Sequence, residues 1–176
     1  MEIFIVGAVV VALMVFVSTK IKRSAALAFE PEFVEKEDFT ISKPEGFMSP
    51  LDGNSEHAFE AYSREFGEKN TRNVWQAHAV LTVGSDLNFA DECEGAKKSA
   101  DKILSEKILE NDSESGKIFL LESERTEDEI RMINFRKIVE SPARRKIYDL
   151  QISVLPAFRS VYIERIDEMI NSFRIK

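Results

Sequence analysis

The sequence predicts an α+β fold: an antiparallel β-sheet packed with two main helices, preceded by an N-terminal transmembrane helix. Three observations predict it. Ile3 to Val17 reads IFIVGAVVVALMVFV, without a charge. Runs rich in β-branched and aromatic residues recur between Phe39 and Leu155, and the last three are joined by connections too short for parallel crossovers. Two stretches, near Asn88 and from Pro156, combine helix start signals with apolar residues three and four apart. The 176 residues, 44% hydrophobic and 31% charged, provide one core and a solvated surface. Seven Gly, five Pro and a single cysteine, Cys93, exclude a low-complexity chain, an intramolecular disulfide framework and a cysteine-rich zinc fold.

Ser18 and Thr19 extend the apolar run to 17 residues before Lys20. At a rise of ~1.5 Å per residue this covers roughly 25 Å, slightly less than a hydrocarbon core, so Lys20 and Lys22 would snorkel toward headgroups. A signal peptide is the competing reading, since Ala26-Leu27-Ala28 resembles an A-x-A cleavage site. However, only Met1 and Glu2 precede the run, and Lys20, Lys22 and Arg23 separate it from that site. An uncleaved anchor is therefore expected. With all three cations after the span, the positive-inside bias makes the chain a single-pass cell-membrane protein with a cytoplasmic C-terminal domain. The opposite orientation would place the domain outside the cell. The expected division is an anchor with basic flank over 1–23, a linker or helical extension over 24–37, and a soluble α+β domain over 38–176. Residues 24–176 carry 21 basic and 30 acidic side chains, net −9, which argues against nucleic acid as a partner.

Within the domain, Phe39-Thr40-Ile41-Ser42-Lys43 alternates with period two and stops at Pro44, a strand with Phe39, Ile41 and Lys43 on one face. The turn-rich PEGFMSPLDGN follows. AFEAYSREF fits helix or strand spacing; WQAHAVLTV from Trp75 to Val83, beyond the connector GEKNTR, favours an antiparallel strand pair. Trp75, Ala77, Ala79, Leu81 and Val83 would share a face. Asn88 to Glu110 reads as a helix capped by Asn88 or Asp91, with a buried stripe through Cys93, Ala96, Ala100, Ile103, Leu104 and Ile108. KIFLLESER, IRMINFRKIVE and KIYDLQISVL then read as an antiparallel meander. Pro156 opens the last helix, whose stripe is Phe158, Val161, Tyr162, Ile166, Met169, Ile170 and Phe173.

The strand and Pro-x-Gly-aromatic turn of FTISKPEGF, with RRKIYDLQISVLPAFRSVYIERIDEMINSFRI at the far end, resembles the PsbP-like and DcrB-like α/β/α sandwich superfamily over residues 38–176 in outline. In such proteins a late strand with an aromatic near its start leads into a terminal amphipathic helix ending close to Ser-Phe, here Ser172-Phe173. The resemblance implies a noncatalytic accessory or interaction module, often membrane-associated. The chain lacks the N-terminal lipobox cysteine of bacterial relatives, and no family ligand site transfers to a numbered residue.

His57 and His78 would hold a metal only by converging with a carboxylate such as Glu56 or Glu60, and no HExxH-like spacing is present, so no metal or other cofactor is expected. Cys93, on the expected buried stripe, reads as a small apolar residue and not a nucleophile. There is no GxGxxG, Walker or GxSxG motif. Arg144-Arg145-Lys146 is the concentrated basic triplet, either a solvated turn or a contact for phospholipid headgroups or another anion. The leading expectation is a membrane-tethered accessory domain with two partners: the lipid bilayer, through the N-terminal helix, and a protein. The alternatives are a membrane-bound enzyme using dispersed carboxylates and His78, and an envelope-facing sensor or solute-binding domain.

Overall fold

The computed structural model describes residues 11–20, 27–50, 55–67, 74–110 and 116–176. Among the described residues after 26, ten strands, two α-helices and two short 3-10 turns build the domain. β1 (Glu32–Glu35), β2 (Phe39–Lys43) and β10 (Arg174–Ile175) form a three-stranded sheet in the order β1-β2-β10. The larger sheet contains β3 (Phe47–Met48), β4 (Phe59–Ser63), β5 (Ala77–Ser85), β6 (Lys102–Glu110), β7 (Lys117–Glu127), β8 (Ile130–Ser141) and β9 (Lys146–Val154). Its order is β3-β4-β5-β9-β8-β7-β6, and each pairing is antiparallel. The helices are α1 (Phe89–Lys98) and α2 (Arg159–Ser172).

Alternation divides the large sheet into two buried faces. On one, Phe59, Ala61, Ala79, Leu81, Phe135, Tyr148, Leu150 and Ile152 meet Tyr162, Ile166 and Met169 of α2 and Phe39 and Ile41 of β2. On the other, Phe119, Leu121, Ile138 and Ile147 lie under Cys93 and Ala96 of α1. The result is a helix on each face of the sheet, the layering that lets one sheet support two apolar clusters. The FTISK strand keeps its predicted face: Phe39, Ile41 and Lys43 are all buried. Lys43 meets that burial by donating to the Ala28 carbonyl at 3.1 Å and pairing with Glu32 at 3.3 Å. The Pro-x-Gly-aromatic turn has a backbone reason. Gly46 adopts φ +85°, in the left-handed region that favours glycine, and delivers Phe47 to an edge contact with Tyr162 at 5.7 Å between ring centroids.

The predicted strand pair is β4 and β5, with Ala61 opposite Ala79, and the predicted meander is β7-β8-β9. The long helix is corrected. Asn88 caps it, but it ends at Lys98, and Lys102–Glu110 is the strand β6. Asp101 makes the break: its N–H donates to the Glu124 carbonyl at 2.9 Å, and its carboxylate accepts the Thr126 N–H at 2.6 Å. These bonds align the following residues with β7. Ile103, Leu104 and Ile108, expected in a buried stripe, are instead exposed by 42%, 39% and 58%. The 24–37 segment, expected as linker or helical extension, contributes β1, whose Val34 stands opposite Ile41. Val161 and Val83 also point outward.

Residues 11–20 are helical and every one is exposed. No helix among the described residues is long and apolar enough to cross a membrane. The rest of the expected anchor, residues 1–10, and the flank from 21 to 26 lie outside the described residues.

Candidate functional site

His78 lies on β5, whereas His57 precedes β4. Register sets Tyr62 opposite His78 and Glu60 opposite Val80, so Glu60 and His78 are diagonal neighbours on the face away from α2. His78 Nε2 lies 2.9 Å from Glu60 Oε1, and Ser55 Oγ donates to Glu60 Oε2 at 2.7 Å. Burial raises the Glu60 pKa, but the Ser55 and His78 hydrogen bonds outweigh it and leave the carboxyl below its ordinary range. His57 does not join this group; its backbone N–H donates to Ser55 Oγ at 3.1 Å. Ser153 stands opposite His78 across β5 and β9, yet its hydroxyl donates to Asn134 Oδ1 at 2.6 Å. The group therefore forms a cross-strand tie in which no serine is activated by the imidazole. Among the described residues no three His, Cys, Asp or Glu side chains gather to hold a metal ion.

Cys93 is buried against the sheet, and burial pushes its thiol up to about 11, which suppresses the thiolate needed for nucleophilic attack. The basic triplet closes the β8–β9 connection. Arg145 adopts φ +50°, ending a short turn over Pro142–Arg144. Arg144 and Lys146 both bind Asp38, Lys146 Nζ at 2.6 Å, and Arg144 also donates to the Lys176 carbonyl at 3.2 Å. The Lys146 hydrogen bond holds the Asp38 carboxyl below its usual range, and Asp38 in turn raises Lys146. Two of the three cations thus fasten the β1–β2 turn to the β8–β9 turn.

The two ends of the large sheet present the exposed apolar groups. At one, Trp75 is stacked between Tyr62 and Phe66, with ring centroids 4.3 and 3.9 Å away, and Phe66 is 46% exposed. At the other, β6 pairs with β7 alone and leaves its outer backbone edge unpaired among the described residues. A register shift between Ile103 and Ser105 interrupts β6, while Ser105 to Glu110 run in regular pairing with β7. This regular half carries Ile108 outward. Sequence reasoning missed this edge by assigning it to a helix.

No family model and no curated protein matches the chain. Solved structures do match its fold. Cyanobacterial PsbP (CyanoP) from Synechocystis aligns with TM-score 0.55 and 10% identity over 84% of this chain and 94% of that one. The Saccharomyces cerevisiae Ran-binding protein Mog1p aligns with TM-score 0.55 and 12% identity over 84% and 96%. LpqN of Mycobacterium tuberculosis, involved in cell envelope biogenesis, aligns with TM-score 0.53 and 12% identity over 84% and 91%. The resemblance read from FTISKPEGF and the C-terminal strand-helix segment is borne out at the level of architecture, and the chain has the PsbP-like fold that these structures share.

Proposed function

We propose that the chain is a membrane-tethered, noncatalytic accessory protein whose domain lies on the cytoplasmic side and binds a protein partner by pairing with β6. The observation that carries this reading is the open β6 edge, with exposed Ile103, Leu104 and Ile108 beside free strand backbone. Unpaired strand backbone supplies main-chain hydrogen bonds to an added strand, and alternate side chains supply selectivity. The register shift near Leu104 and the charges of Lys102, Glu106 and Lys107 guard against indiscriminate pairing. Mog1p, a protein of this fold that binds Ran, supports the partner-binding reading.

The tether rests on the uncharged Ile3–Val17 run and on the exposure of Val11, Leu13, Met14, Val15 and Phe16. Lys20, Lys22 and Arg23 support the cytoplasmic orientation. The basic triplet contacts anionic headgroups mainly through Arg145, because Asp38 engages Arg144 and Lys146. Ile108→Asp in the full-length protein tests the partner reading. Loss of one specific co-purifying protein, with domain stability and carbonate-resistant membrane association retained, is expected. An unchanged set of co-purifying proteins overturns pairing at β6, and carbonate release of the intact wild type overturns the tether.

A further inference from the structure

The face of the large sheet that carries α2 is not covered to its end. Between the outer strands β6–β8 and the α2–β10 segment runs a groove of about 510 Å³, a size typical of small-molecule sites. Its apolar lining comes chiefly from Leu109, Ile118, Leu120, Val139 and Ile170. Lys137 lies among them because it alternates with Phe135 and Val139 on β8, and register sets it directly opposite Leu120. It is only 6% exposed. Its ammonium donates to the Ile170 carbonyl at 2.8 Å and the Phe173 carbonyl at 2.9 Å, which leaves one of three donors unspent. Among the described residues no carboxylate pairs with it. Arg174, on the same wall, donates to the Phe173 carbonyl at 2.9 Å and adds a second positive charge.

A buried cation without a counter-charge bears a desolvation penalty that a bound anion would offset. Beyond the two cations and Asn171, the side chains lining the groove are hydrocarbon. We propose that this groove binds a medium-chain fatty carboxylate, its head paired with Lys137 and Arg174 and its chain laid along Leu109, Ile118, Leu120 and Ile170. One remaining ammonium donor and one guanidinium suit a planar monoanion better than a phosphate dianion, which demands more donors. The inference uses the opposite side of β7 from the α1 cluster and does not depend on partner pairing at β6.

The test uses full-length, methyl-labelled protein in phosphatidylcholine nanodiscs titrated with decanoate, with empty nanodiscs as the partition control. Saturable shifts at the Ile118, Leu120 and Ile170 methyls are expected, with decanol binding at least about tenfold more weakly. Lys137→Gln should weaken decanoate binding by about tenfold. Because that change also removes a donor to two carbonyls, Leu120→Asp is the second variant: it places a carboxylate opposite Lys137 and should abolish binding while the domain remains folded. Non-saturable shifts, equal affinity for decanol and decanoate, or undiminished binding in folded Leu120→Asp would overturn the proposal.

Discussion

Lys137 shows how one residue links fold, stability and site. Burial, with a smaller effect of the Arg174 charge, lowers its pKa to about 8 from the ordinary 10.5. Between those values the unfolded chain holds more protons than the folded one, so this residue's effect on stability becomes more favourable as pH rises through the window. Urea unfolding should therefore show a Lys137-dependent gain of about 2 kcal/mol between roughly pH 7.5 and 9.5. Lys137→Met should lose that gain, and equal pH slopes in the two proteins would contradict the assignment. The sequence contained part of this: Lys137 alternates with Phe135 and Val139, but the opposite face also carries the apolar Ile138. Alternation alone could not say which row faced α2. The Asp38 clamp was still less legible, since it joins positions more than a hundred residues apart.

At the scale of elements, local chemistry explains the parts that sequence reading located well. Asn88 Oδ1 accepts the Ala90 N–H at 2.8 Å and caps α1, as its position before an acidic first turn predicts. Asn88→Ala should cost about 1 kcal/mol, read as a lower urea midpoint at unchanged m-value. The β7–β8 hairpin turns on Asp128 and Glu129, with φ +49° and +66° between the paired Glu127 and Ile130. Such a two-residue turn favours Asn-Gly, so Asp128→Asn with Glu129→Gly should raise stability by about 1 kcal/mol; a lower thermal midpoint would contradict this. β6 failed to reveal itself because Ile103, Leu104, Ile108 and Leu109 follow helical spacing. Pairing with β7 and the Asp101 anchor overrode that local pattern.

For the whole molecule, short connections made the β7-β8-β9 meander readable, whereas the order of the sheet was not. Putting β5 beside β9 and β6 at the end depends on contacts between distant segments. That placement creates both the groove and the free edge, so neither was visible in motifs. A photoreactive phenylalanine analogue at Ile108 of the full-length protein, expressed in cells, with Asp91 on α1 as the control position, tests whether the β6 edge receives a partner strand. One discrete adduct from Ile108, none from Asp91, and loss of the adduct when Ile103→Asp is added to a still-folded domain are expected. No adduct at Ile108, or an adduct that survives Ile103→Asp unchanged, would rule out strand pairing at β6.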